Sequence, residues 1–72
     1  MKSDDMVHKA NQIALFFEAY PREQAIDSIA DHLNKFWERR MRTQIVAYLA
    51  GGGGGLHELA AEAVKRIGPP KG

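Results

Sequence analysis

Leu56-His57-Glu58-Leu59-Ala60-Ala61-Glu62-Ala63-Val64-Lys65-Arg66-Ile67, followed by Gly68-Pro69-Pro70, is the stretch that decides the fold of this 72-residue chain. Leu56, Leu59, Ala60, Ala63, Val64 and Ile67 recur at steps of three and four, which lines them along one face of a helix. Lys65 and Arg66 fall in its last turn, where cations complement the negative end of the helix dipole, and the Gly-Pro-Pro run stops it. The spacing predicts a helix over 56–67, with a flexible tail at 68–72.

Upstream of this helix stand five consecutive glycines, Gly51 to Gly55. A phosphate-binding loop needs a strand before its first glycine and Lys-Ser or Lys-Thr after its last, whereas here Leu56-His57 follows and a helical pattern precedes. The run reads as a flexible hinge before the last helix. Met41, Ile45, Tyr48 and Leu49 give a helix over about 40–50. Ala25 or Ile26, Ile29, Leu33 and Phe36 or Trp37 give another over about 22–36, with Glu23 early and Lys35 late in agreement with the dipole. Met6, Ala10, Ile13, Phe17 and Tyr20 give the first, over about 5–19, with Ser3 or Asp4 as its cap. Pro21 disfavours helical geometry at Tyr20 and suits the first turn of the next helix. No segment alternates with the period of a strand. The fold class is all-α, a small bundle of three to four short helices forming one domain over residues 1–72.

A chain this short buries only about 60% of its unfolded surface, so its isolated stability is small. With no cysteine, it has neither disulfides nor thiolate metal sites to compensate, and association is the remaining route. Absence of cysteine also suits a reducing compartment. The acidic start Met1-Lys2-Ser3-Asp4-Asp5 and the short apolar run Ile13 to Phe17 do not make a signal peptide, and no segment has the roughly 18 apolar residues of a membrane helix, so a cytoplasmic location is expected. Charge is uneven: residues 1–34 carry three basic and six acidic groups, residues 35–72 seven basic and three acidic. Such a dipolar chain suits docking on a patterned protein surface better than general nucleic-acid binding.

Candidates for chemistry are sparse. His8, His32 and His57 lie in different helices or their ends without an i,i+4 partner, so no metal site is expected. Asp27, Asp31 and Glu38 sit on a solvated helical surface beside no nucleophile, and Ser3, Ser28 and Thr43 lack an Asp and His pairing, so no catalytic residue is assigned. What remains is His32-Leu33-Asn34-Lys35-Phe36-Trp37-Glu38-Arg39-Arg40-Met41-Arg42, which joins two large aromatics to a cluster of cations. Phe36, Trp37 and Met41 are compatible with core packing and with a docking surface alike, since interfaces are enriched in aromatics, Met and Arg.

Asn11-Gln12-Ile13-Ala14-Leu15-Phe16-Phe17, His32-Leu33 with Phe36-Trp37 and Arg40-Met41-Arg42, and Gly54-Gly55-Leu56 before Leu59 and Ala63, together resemble the delta subunit of NAD-dependent formate dehydrogenase. The resemblance spans nearly the whole chain. Family members typically carry proline between the acidic residue and the arginine of the Phe-Trp segment, where this chain has Arg39, and that leaves the start of the third helix less sharply marked. The resemblance implies a noncatalytic accessory subunit of a bacterial enzyme. Molybdenum or tungsten bis-pterin, iron–sulfur clusters and flavin would then belong to other subunits. The large catalytic alpha subunit is the expected partner, with no nucleic acid and no membrane. On this reading His32, Phe36, Trp37, Arg39, Arg40, Met41 and Arg42 form the interface, with Trp37 and Met41 as apolar anchors and Arg40 and Arg42 pairing with partner carboxylates or carbonyls. A transient assembly chaperone would use the same patch, and a small helical nucleic-acid-binding module is the remaining alternative.

Overall fold

The computed structural model describes residues 3–68, which form four α-helices and, among the described residues, no strand. α1 spans Ser3–Phe17, so Ser3 and Asp4, both candidates for its cap, lie inside it. It stops two residues short of the expected Ala19. The Glu18 amide donates to the Leu15 carbonyl at 3.3 Å and the Tyr20 amide to Phe17 at 3.0 Å, a tightened last turn that releases Tyr20 from helical geometry before Pro21.

α2 spans Arg22–Phe36 as the spacing predicts, with Pro21 at the cap position ahead of the helix instead of in its first turn. α3 spans Arg39–Ala50 and starts one residue earlier than expected. Arg39 thereby occupies the first helical position, the place proline favours because an amide hydrogen there has no intrahelical partner. α4 spans Glu58–Ile67, two residues later than expected, because Leu56 and His57 stay outside the helix and His57 acts as its cap. Gly68 closes α4 with φ 59°, its amide donating a hydrogen bond to the Val64 carbonyl at 3.1 Å. The rest of the expected tail, 69–72, lies outside the described residues.

Five side chains fill the centre: Met6 from α1, Ile29 and Leu33 from α2, Ile45 from α3 and Val64 from α4. The most extensive helix contact joins α2 to α4. Small residues are among those buried on both helices, Ala25 and Ala30 on α2 and Ala60 and Ala63 on α4. Arg66 of α4 reaches back over this contact to Glu23 and Asp27 of α2, while Arg22 pairs with Glu58 at 3.0 Å. The hydrogen bond with Glu23, and the charge of Asp27 acting against desolvation, raise the Arg66 pKa, so the guanidinium stays charged. The acidic and basic halves of the chain therefore partly neutralise one another within the fold.

The glycine run, read from sequence as a flexible hinge, is a turn-rich loop clasped from two sides. The Asn11 side chain donates to the Gly55 carbonyl at 2.9 Å and accepts the His57 amide at 2.7 Å. The Tyr48 hydroxyl donates to the Gly54 carbonyl. Gly53 is required by geometry, since its φ is +63° and a Cβ there would lie 2.8 Å from Leu49 Cδ1.

Candidate docking surface

The structure divides the segment from His32 to Arg42 into an inward and an outward set. Trp37 is only 7% exposed and belongs to the core. It follows the last turn of α2 in extended backbone, φ −88° and ψ 134°, and its amide still donates to the Leu33 carbonyl at 3.1 Å. That bend carries the indole inward at the corner between α2 and α3. Met41, half-buried, packs against the same core. For both, the core packing that the sequence also allows is the role this fold gives them, fully for Trp37 and in part for Met41.

Arg42 is also turned inward. One guanidinium nitrogen donates to the Asn34 carbonyl at 3.2 Å and to the Asn34 side-chain oxygen at 3.3 Å. Asn34 carries one of the last four carbonyls of α2, which have no partner within the helix, so Arg42 ties the start of α3 to the end of α2.

Phe36, His32, Arg39 and Arg40 form the outward set. Phe36 is 72% exposed, and its ring lies 4.7 Å, centroid to centroid, from that of the half-buried His32. Arg39 and Arg40 stand exposed in the first turn of α3, beside a shallow hollow that they line with Glu38, Thr43 and Gln44. Lys35, at the end of α2, pairs with Asp31 at 3.0 Å.

Sequence reasoning misses the α1 side of this surface. His32 shares an open apolar cleft of about 320 Å³ with Gln12, Ile13, Phe16 and Phe17. The Phe16 and Phe17 rings meet edge to face at 5.0 Å, and Tyr20 lies 5.7 Å from Phe17. A usable signal exists in the sequence: adjacent residues on a helix point about 100° apart, so Phe16 and Phe17 cannot both face the core. Phe17 is half-buried, and Phe16 is 71% exposed.

Among the described residues, the histidine paired with a carboxylate is His57, whose Nε2 lies 2.9 Å from Glu18. Its other ring nitrogen, Nδ1, accepts the Leu59 amide at 3.1 Å and caps α4. Nε2 thus ties the α3–α4 loop to the chain just past the end of α1, while Nδ1 caps α4. Among the described residues, no group of three His, Asp or Glu side chains is placed to hold a metal ion, and no helix is long and apolar enough to cross a membrane.

A family model described as NADH-dependent formate dehydrogenase delta subunit FdsD matches residues 5–64. No curated protein and no solved structure matches the chain.

Proposed function

We propose, from the premise that this chain belongs to the family of NADH-dependent formate dehydrogenase delta subunits, that it is a noncatalytic accessory subunit. It docks on the large molybdenum-bearing subunit of the complex in the cytoplasm and stabilises or helps assemble the enzyme. The observation that carries this reading is the exposed aromatic surface of α1 and α2, which the chain's own core leaves uncovered. Exposed apolar surface of this kind in a small domain marks an interaction site.

The donor set of the chain does not fit the redox groups of such an enzyme. It has no cysteine to ligate an iron–sulfur cluster, and its glycine run follows a helix, not the strand of a nucleotide-binding fingerprint. On this reading molybdenum or tungsten bis-pterin, iron–sulfur and flavin chemistry belongs to the other subunits. The surface equally suits transient binding, so permanent subunit and departing chaperone differ in one observable. Quantifying the chain in purified, active formate dehydrogenase should give equal stoichiometry with the large subunit. Its absence from fully active enzyme would replace the subunit by the chaperone.

A further inference from the structure

Leu15, Phe16, Tyr20 and Phe36 are large apolar residues that stand exposed. Phe16, Tyr20 and Phe36 belong to one continuous strip. The Phe36 ring packs at a tilt against that of His32, and His32 lines a cleft with Phe16 and Phe17. Phe17 in turn meets both Phe16 and Tyr20. The strip crosses from the end of α2 to the end of α1, and the core beneath it is already filled by Ile29, Leu33 and Trp37. Leu15 lies on α1 about 100° round the helix from Phe16, outside the cleft.

Charge distinguishes the two ends of the strip. Residues 31–42 hold four cations against two carboxylates, and Asp31 is already paired with Lys35. Away from that corner, Glu23, Asp27 and Glu58 are closed onto Arg66 and Arg22. The Phe36 end thus lies in a segment of net positive charge, with Arg40 exposed in the first turn of α3. A complementary surface is apolar along its middle and acidic at one border.

We infer that the aromatic strip from Phe36 through His32, Phe17 and Phe16 to Tyr20 is the docking face. Its occupant is an apolar ridge of the large formate dehydrogenase subunit, with carboxylates that meet Arg40. This rests on the subunit reading above and moves the contact from the Trp37–Arg42 segment to the α1–α2 face. Trp37, Met41 and Arg42 act as positioning residues, which hold the corner so that Phe36 and Arg40 face outward.

Co-expression with the tagged large subunit tests this, using the wild-type chain, Phe16→Ser with Phe36→Ser, Arg40→Glu and Leu15→Ser, each checked for helical circular dichroism. The double variant should reduce retention roughly tenfold or more, as expected when exposed rings at the centre of an interface are removed. Arg40→Glu should weaken retention most at low salt, and Leu15→Ser should leave it unchanged. If the double variant loses helicity, Phe36→Ala alone carries the test. Retention of the folded double variant at the wild-type level overturns the docking face, and so does an equal loss for Leu15→Ser. A wild-type chain that is not retained overturns the subunit reading itself. If the free chain sediments as a dimer that the double variant dissolves, the strip is covered by a second copy and the assigned partner is wrong.

Discussion

Replacing Trp37 by alanine is expected to destabilise the fold by about 3–5 kcal/mol, the range for truncating a large aromatic in a packed core. The indole is 7% exposed and belongs to the same buried cluster as Leu33 and Ile45, so its removal leaves a cavity at the corner that joins α2 to α3. Small domains have total stabilities of a similar size, so the isolated variant should be largely unfolded. Urea unfolding followed by circular dichroism should show a collapsed or strongly lowered midpoint, with Trp37→Phe retaining much of the stability. A Trp37→Ala chain that stays folded with parental stability, yet no longer binds the large subunit, would return Trp37 to the interface.

Asn11 gives the second large effect. Its side-chain amide donates to the Gly55 carbonyl and its oxygen accepts the His57 amide, so one residue of α1 fixes both the end of the glycine loop and the residue that caps α4. Asn11→Ala removes both bonds and is expected to cost about 1–3 kcal/mol. Asn11→Asp restores only the acceptor for His57 and sets a carboxylate against the Gly55 carbonyl, so it should recover at most part of that loss. Amide hydrogen exchange in α4 should accelerate in both variants. Unchanged exchange and stability in Asn11→Ala would mean that the clasp does not hold the helix.

The helices are legible because their apolar positions repeat locally, and Pro21 marks the start of α2, whereas its end at the Trp37 bend shows only in the structure. The start of α4 was not legible. Its cap depends on Asn11, 46 residues from His57, and periodicity carries no information about a bond of that range. The same distance explains the glycine loop, whose composition suggests freedom while Asn11 and Tyr48 restrain it.

At the docking surface, the ambiguity was one of phase. Phe36 and Trp37 both stand at helical spacing from Leu33, and only the backbone bend after α2 decides that Trp37 turns in and Phe36 out. Arg42 looked like part of a cationic patch because its tie to Asn34 crosses between helices. Phe16 and Phe17 carried a local signal, two neighbouring aromatics that cannot share one face, and that signal marks the α1 half of the strip.

Site-specific photo-cross-linking in the assembled enzyme tests the central claim most directly. A benzophenone amino acid replaces Phe36 or, in a separate chain, Leu15, and the cross-linked partner is identified. The account predicts a product with the large subunit from Phe36 and none from Leu15. A large-subunit product from Leu15 with none from Phe36 would contradict it.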